Sequence, residues 1–446
     1  MTTNAGLLIE KLIVGFEARR WASEPMTLAL QIVDEHPESI GDLARAIMER
    51  LPEGGTFLDD TLSFLPEDEW SALVESAVVQ LEMAKERGDK LPKAASSIVS
   101  YASLQCPRAL HPYLERLFVL DDLFSAYYAT YPWRESGEQH LNGLQKHFDT
   151  AEEVHGKGKH FRRSASDRRL RAWLAVLETR SLPVLERALS LAPLLGLSDE
   201  EVRAYYHGVG YKVREGVVVP LYPHVVWHLS FEEDALPTKP DFRNNHPTWH
   251  LNAGTPIQRF GGVHLQAKCQ ICGEALHHLL TLSPTPVELG VSGLSSLTLA
   301  ACLSCVGWEA SPLYYQHDRE GLPQALLGDV EPHEPEFPSP PLRETLVQLA
   351  PTPSRWYWQD WGLSNGRENL HRLGGHPCWI QSAEYPECPK CDQTMNFLLQ
   401  LDSELPLQDA TGDQEEEHVM EWGSGGILYG FWCDACSVSA FAWQCT

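Results

Sequence analysis

The sequence lacks the features of a membrane or secreted protein. No uninterrupted apolar run is long enough to cross a bilayer. Residues 1–6 show no basic stretch leading into an apolar core, which is the pattern of a signal peptide. Cysteines spaced for metal binding fit a reducing compartment. We therefore expect a cytoplasmic protein without a membrane partner.

Basic residues are scarce. The 446 residues include 61 Asp and Glu against 35 Lys and Arg, a formal net charge of -26. Such a surface repels phosphate backbones and favours basic partners. We therefore expect a basic protein partner rather than nucleic acid, and the alternative is that acidity only keeps the chain soluble. The acidic run at 402–421 and the basic run at 157–171 are each expected to be solvated loops.

Eight of the eleven cysteines form two sets of paired CxxC motifs. Each CxxC turn points two thiolates at one ion, and four thiolates complete a tetrahedron with no open position. We expect two structural zinc ions, with iron as the second choice of metal. A lone CxxC would also suit a redox pair. The ligands predicted for the two sites are Cys269, Cys272, Cys302, Cys305, Cys388, Cys391, Cys433 and Cys436.

The flanking sequence of the two cysteine sets repeats. Each copy begins with a Gly-Gly pair, at Gly261 and Gly374, and continues through a glutamine to its first CxxC. An apolar run leads into the second CxxC, and each copy ends on aromatic residues and a glutamine, Gln316 or Gln444. Matching order and spacing predict an internal duplication.

The first half of the chain shows helical periodicity. Apolar residues recur on one helical face in 40–51, 70–81 and 170–177. Ser164 and Asp167 have the form of a capping box before the third of these helices. Paired helices with short links predict an all-α, helical-repeat-like domain of the HEAT or armadillo kind at 1–215, with an irregular bundle as the alternative.

The composition becomes β-rich near residue 216. We predict an α+β multidomain protein in which a first CxxC module spans 216–330 and a second spans 354–446. Residues 331–353 are rich in proline and are expected to form an extended, semi-rigid linker.

The second module resembles a known family. The resemblance rests on the segments Leu373-Gly374-Gly375-His376-Pro377, Trp379-Ile380-Gln381, Cys388-Pro389-Lys390-Cys391, Met395-Asn396-Phe397-Leu398-Leu399-Gln400-Leu401 and Gly426-Ile427-Leu428-Tyr429-Gly430-Phe431-Trp432-Cys433. Together they are similar to the YwqG-like family. That family has been grouped in the TYPP superfamily with the programmed cell death protein 2 family. The similarity is specific in 371–446, weaker in 246–316, and does not cover 1–215.

The resemblance implies a duplicated β-rich fold with metal-binding CxxC pairs and no established enzyme activity. Eukaryotic relatives are associated with chaperoning a ribosomal protein, and some bacterial relatives lie near toxin systems. Only the eight cysteines, Gly374, Gly375, Gln381, Gln400 and Gln444 carry over. In the first copy Leu282 stands where the second has Gln400, so a binding face there would be degenerate.

Several residues are candidates for partner binding. Gly374 and Gly375 permit unusual backbone conformations or close approach of another chain. A glutamine on a β-face can bond the backbone of an extended peptide, or alternatively bond neighbouring strands. An aromatic cluster can form a binding platform or fill a core. The full set of candidates is Gly374, Gly375, Gln381, Gln400, Gln444, Trp356, Trp358 and Trp361.

Two function classes compete. The first is a non-enzymatic, zinc-stabilised protein-binding module, chaperone-like or toxin-immunity-like, that holds a basic or extended protein segment. The second is a hydrolase with a further, histidine-bound metal. The sequence has no HExxH motif or other spaced ligand set with a carboxylate base, which favours the first class. The candidate ligands of the second are His246, His250, His264, His277 and His278.

Overall fold

A computed structural model gives the fold. It describes residues 4–17, 24–53, 58, 61–124, 131–144, 168–231, 246–249, 257–326, 331–364, 367–408 and 419–446. The chain divides into two compact units, Met1–Val209 with Val213–Val218, and Gly210–Lys212 with Val219–Thr446. Some predictions fall outside the described residues: most of the basic run 157–171, half of the acidic run 402–421, the capping pair Ser164 and Asp167, and His250.

The described part of the first unit is built from helices. They are α1 Asn4–Glu17, α2 Glu24–Glu35, α3 Ile40–Arg50, α4 Trp70–Arg87, α5 Lys93–Gln105, α6 Leu114–Phe124, α7 Arg168–Glu178, α8 Leu182–Leu191 and α9 Asp199–Gly208. Each helix in the described ranges is too short or too polar to cross a lipid bilayer.

Helix α4 shows how the sequence specifies these elements. It begins directly after three acidic residues, 67–69, whose charge suits the positive end of the helix dipole. Its predicted apolar face, from Trp70 to Leu81, is buried. The helix ends at Gly88, which has φ 71° in the left-handed region and whose N–H is bonded to the Ala84 carbonyl. The helical prediction for this segment is confirmed.

The second unit is β-rich. Its strands are β3 Val226–Phe231, β4 Ile257–Phe260, β5 Val263–Lys268, β6 Ala275–Leu282, β7 Leu297–Ala301, β8 Leu313–His317, β9 Pro323–Ala325, β10 Thr345–Pro351, β11 Arg372–Gly374, β12 Asn396–Asp402, β13 Leu405–Pro406, β14 Val419–Met420, β15 Ile427–Cys433 and β16 Val438–Gln444. A two-stranded sheet of β1 Tyr211–Arg214 and β2 Val217–Pro220 precedes them, and the helical turn α10 Trp361–Ser364 interrupts them.

Twelve of these strands form one nearly closed sheet. The order is β5-β6-β4-β10-β3-β11-β12-β15-β16-β8-β9, and β7 pairs with β6. At the far end, the N–H of Thr298 in β7 donates to the Gly321 carbonyl between β8 and β9 (3.0 Å), so the ends of the path approach each other. One hydrophobic core includes side chains from both cysteine-bearing halves.

The two halves of the sheet interlock. Strand β3 precedes the first cysteine set but pairs with β11 of the second half. Strand β10 precedes the second set but pairs with β4 of the first half. Between them, β3 and β10 pair antiparallel. Residues 345–351 are therefore a central strand rather than part of the extended linker expected at 331–353, because their alternating apolar side chains complete the shared core.

The halves also share register features. The β6–β7 ladder shifts at Leu279, and the β12–β15 ladder shifts at Leu398. These two leucines stand at the same distance beyond the preceding CxxC motif, so the counterpart of Gln400 in the first half is Thr281 and not the expected Leu282. Such a shift places two residues of one strand opposite one residue of its partner, and it bends the strand that carries the extra residue. The same local irregularity thus occurs in both halves, beside each cysteine set.

Candidate metal centres

The turns between strands bring the cysteines together. In the first centre, Cys269 and Cys272 lie between β5 and β6, and Cys302 and Cys305 lie between β7 and β8. In the second centre, Cys388 and Cys391 precede β12, Cys433 ends β15, and Cys436 lies in the turn to β16. Pairing of β6 with β7, and of β12 with β15, therefore closes each centre.

The sulfur positions fit a tetrahedral ion. Within each centre the four Sγ atoms lie within 4.8 Å of one another. The Cys272 and Cys302 sulfurs are 3.6 Å apart, and those of Cys391 and Cys433 are 3.7 Å apart. A tetrahedron of Zn–S bonds requires sulfurs about 3.8 Å apart, whereas a disulfide requires about 2.05 Å. The two clusters can therefore hold metal ions, and their cysteines are free thiols.

The CxxC turns have a common backbone form. The N–H of Gly273 donates to the Cys269 carbonyl (2.9 Å), and the N–H of Asp392 donates to the Cys388 carbonyl (2.8 Å). Directly after three of the four motifs the chain takes a left-handed conformation, at Gly273 (φ 76°), Asp392 (φ 55°) and Ser437 (φ 51°). Glycine and small polar residues tolerate that conformation best. The residue after each of these motifs is thus part of the centre.

Electrostatics favour a cation at the first centre. The thiols of Cys302 and Cys305 donate to Cys269 and hold its pKa well below the usual value. The same contacts raise the pKa of Cys302 and Cys305. Four adjacent sulfurs therefore do not all ionise without a cation, and metal loading must release protons.

The second centre is more exposed than the first. The thiol of Cys391, near the surface, has a lowered pKa because the N–H of Gln393 bonds its sulfur. Burial instead raises the pKa of Cys433. Cys436 is half-buried like Cys391, whereas three of the four cysteines in the first centre are buried.

A proline-rich segment, residues 331–341, packs across the first centre; we call it the strap. The N–H of His333 donates to the Ile271 carbonyl (2.8 Å), inside the first CxxC. The N–H of Ser339 donates to Ser304 Oγ (3.0 Å), inside the second. Sequence reasoning assigned these residues to a linker and missed this contact, because both partners lie far from the strap in sequence.

Two side chains support the second CxxC of the first centre. His277 accepts from the Leu303 N–H at Nδ1 (3.1 Å) and donates from Nε2 to the Ser339 carbonyl (2.9 Å), which fixes its neutral form. The Cys302 N–H donates to the Tyr315 hydroxyl (2.9 Å). Such outer contacts orient metal ligands.

Among the described residues, the histidines expected to bind a hydrolase metal do not come together, and His246 and His278 instead form hydrogen bonds within the protein. His278 donates to the Gly261 carbonyl (2.7 Å) and accepts from Thr281 Oγ1 (2.7 Å). His246 Nδ1 bonds Thr248 Oγ1 (2.8 Å). Within the described ranges, the two cysteine sets are the only groups of three or more potential ligands that come together. His264 joins neither set, and His250 lies outside the described ranges.

The paired glycines sit where another strand of this chain approaches. Gly374 and Gly375 both have φ 73°. A Cβ on Gly374 would lie 2.2 Å from the Val225 carbonyl oxygen, and one on Gly261 would lie 2.1 Å from the Arg343 carbonyl oxygen. The close approach expected at these glycines is therefore made within the unit.

The candidate glutamines bond the protein's own backbone. Gln400 is fully buried, accepts from the Cys378 N–H (3.0 Å) and donates to the Leu370 carbonyl (2.8 Å). Gln444 accepts from the Gln381 N–H (3.1 Å) and donates to the Ser382 carbonyl. Gln381 in turn donates to the Cys445 carbonyl (2.7 Å). These contacts match the alternative of internal bonding.

A buried arginine lies beside Gln400. Arg372 is opposite His228 on one side and Gln400 on the other, so the three form a polar row across β3, β11 and β12. The guanidinium donates to the Tyr357 carbonyl (3.0 Å), to the His376 carbonyl and to Cys378 Sγ (3.5 Å). Burial raises the pKa of the Cys378 thiol. Sequence reasoning assigned no role to Cys378 and did not identify Arg372.

The tryptophan cluster is largely interior. Trp356 and Trp358 are each 8% exposed, and Trp361 is half-buried. The Trp356 ring packs against His246 with centroids 5.1 Å apart, and Trp358 packs against His376 at 6.0 Å. This arrangement corresponds to the core-filling alternative rather than to an exposed platform.

Comparison with known proteins locates a short similarity. No family model matches the chain. A segment of 75 residues is 47% identical to the uncharacterized protein YpfL of Salmonella typhimurium (strain LT2). The similarity covers 17% of this chain and 15% of that relative. No solved structure matches.

Proposed function

We propose that this protein is a non-enzymatic binding module that holds a basic or extended segment of another protein, in a chaperone-like or toxin-immunity-like role. The observation that carries the proposal is the closure of both cysteine centres. Four sulfurs lie around each position, so a tetrahedral ion bound there would have no coordination position left for water or substrate. The formal charge of -26 favours a basic partner.

We propose zinc as the metal of both centres. Four thiolates in a tetrahedron suit a soft ion with no geometric preference of its own. Closed sites of this kind contribute to folding rather than to catalysis. Because the ligands are free thiols, a reducing compartment such as the cytoplasm is the expected location.

We also propose that the β-rich unit arose by duplication. The shared register shifts at Leu279 and Leu398 and the equivalent glycine contacts at Gly261 and Gly374 support it. So does the resemblance of the second half to the YwqG-like family. An alignment of single-copy relatives with each half of this chain tests the duplication. Relatives whose two halves are always unrelated in sequence would contradict it.

For the first unit, we propose a helical-repeat arrangement. Consecutive helices pack together as α1 with α2, α4 with α5, and α7 with α8, as repeat arrays do. Hydrogen exchange should then show protection that declines gradually towards one end of the array. A single cooperative exchange step across all helices would favour an irregular bundle.

Metal analysis and affinity capture test the proposal together. Mass spectrometry of the purified chain should find two zinc ions and no third metal. Capture of the tagged chain from its host should enrich one basic protein that survives nuclease and binds again as a purified protein. A third ion bound by histidine would instead support a hydrolase. If only nuclease-sensitive species are recovered, the binding-module proposal is wrong.

A further inference from the structure

The strap and the segment around the second CxxC of the first centre form one surface joined by hydrogen bonds. The Glu309 carboxylate, four residues beyond Cys305, accepts from the His333 ring (3.1 Å) and from the Glu336 N–H (3.0 Å). Together with the Ser339–Ser304 bond, these contacts hold the strap along its length. The position of the strap therefore depends on the fold of the cysteine turns beneath it.

Two aromatic rings stand out on this surface. Trp308 and Phe337 are 44% and 46% exposed, and their ring centroids are 4.5 Å apart. The Trp443 ring packs against the Trp308 ring, with centroids 5.1 Å apart. Among the described residues, these are the only tryptophan and phenylalanine in the set of exposed large apolar side chains. Tryptophan is enriched among the residues that contribute most of the binding energy at protein interfaces.

The surroundings of the pair are acidic. Glu331, Glu334 and Glu336 are exposed on the strap. Neither 306–312 nor 331–341 contains a lysine or arginine, and the histidine His333 is bonded to Glu309. Aromatic faces attract guanidinium and ammonium groups, and nearby carboxylates add to that attraction. The chemistry of the surface is therefore complementary to a cationic peptide.

We propose that Trp308, Phe337 and the acidic strap form the docking surface for an arginine- or lysine-rich segment of a partner protein, and that this surface requires metal in the first centre. The inference rests on the proposed function and names the place and the chemistry of binding. Metal in the first centre would fix both CxxC turns: the Cys269–Cys272 turn holds the strap through Ile271, and the Cys302–Cys305 turn holds it through Ser304 and leads directly into Trp308. Metal in the second centre has no such contact with the strap among the described residues.

Fluorescence anisotropy on the full chain tests the surface. The probe is a labelled peptide of alternating arginine and glycine, and the comparison peptide alternates glutamate and glycine. Trp308→Ala and Phe337→Ala should each weaken binding of the arginine peptide about tenfold or more. Glu334→Gln with Glu336→Gln should weaken it mainly at low salt. Val287→Ala is the matched control, because Val287 is 84% exposed in the same unit and lies outside this surface.

The metal requirement has its own pair of variants. Cys302→Ser should abolish the aromatic-dependent part of the binding, whereas Cys388→Ser should preserve it. If both cysteine variants bind as the unmodified chain does, the metal requirement is wrong. If the unmodified chain binds the arginine peptide but Trp308→Ala and Phe337→Ala behave like Val287→Ala, this surface is wrong and the proposed function stands. Equal binding of the arginine and glutamate peptides would instead overturn the proposed function itself.

Discussion

Replacing Gly374 with alanine should destabilise the β-rich unit far more than the same change at Gly290. The two glycines have nearly the same backbone conformation, with φ 73° and 71°. They differ in what a new Cβ would meet. At Gly290 no atom lies within 4 Å, whereas at Gly374 the Val225 carbonyl oxygen lies at 2.2 Å. The comparison therefore separates the free-energy cost of a left-handed alanine from the cost of its close contact with the neighbouring strand.

The magnitudes follow from these contacts. A left-handed alanine costs about 1–2 kcal/mol, and the stiffer unfolded chain returns about 0.4–1 kcal/mol. Gly290→Ala should therefore cost about 1 kcal/mol. At Gly374 the start of β3 must also move away by about 1 Å to restore an ordinary contact. The displacement disturbs the β3–β11 pairing and the Gly375–Pro223 hydrogen bond, which adds about 1–3 kcal/mol for each buried backbone group left unpaired.

Calorimetric melting of the full chain measures the difference. For a unit of this size, 1 kcal/mol shifts the Tm by about 2–4 °C, so Gly374→Ala should lower the Tm at least about twice as much as Gly290→Ala. Gly261→Ala should behave like Gly374→Ala, because its Cβ would meet the Arg343 carbonyl oxygen at 2.1 Å. Equal losses at Gly374 and Gly290 would refute the strand-approach argument. Sensitivity at Gly374 without sensitivity at Gly261 would refute the correspondence between the halves.

Three further predictions follow from the centres and the buried polar groups. Cys388→Ser should lower the metal content from two ions to one and loosen the second centre, and full metal content with an unchanged Tm would contradict the four-thiolate assignment. Gln400→Leu leaves two buried backbone groups unpaired and should cost about 2–6 kcal/mol in thermal or urea unfolding, whereas Gln381→Leu at the surface should cost much less. Burial lowers the pKa of His278 and His317 to about 4, so the unfolded chain takes up protons first and stability should fall as the pH drops from about 6.5 towards 4. His278→Gln should make that fall shallower in circular dichroism, with a zinc-sensitive dye reporting metal loss separately, and an unchanged slope would contradict the assignment.

Local sequence patterns are sufficient to predict the ligand pairs of the cysteine centres and the positions of helices. A CxxC turn needs only neighbouring residues to point two sulfurs at one position, so Cys269 with Cys272 and Cys388 with Cys391 were predicted as ligand pairs. The helix at 70–81 was predicted because its apolar face repeats every 3.6 residues. In both cases the information lies within a few residues of the feature.

The sheet order could not be predicted in this way. Strand β10 pairs with β4 and β3, and neither pairing leaves a signal within the proline-rich stretch before it. The glutamines were ambiguous for a related reason. Gln400 lies among apolar residues in sequence, which suits a binding face or a buried strand equally. Only the positions of Cys378 and Leu370, set by distant parts of the fold, show which groups it bonds.

Several of the residues expected to bind a partner lie inside the β-rich unit. Gln400, Gln444 and Trp356 are committed to internal contacts, and a tetrahedral ion in either cysteine centre would have no coordination position left for a ligand. The proposed docking site for a partner segment is therefore on the outer surface. At the strap and the neighbouring Trp308, exposed aromatic rings, negative charge and a hydrogen bond to a cysteine centre coincide. In the proposed docking surface, metal would act through geometry alone: it would hold the Cys302–Cys305 turn, which bonds the strap through Ser304 and leads into Trp308.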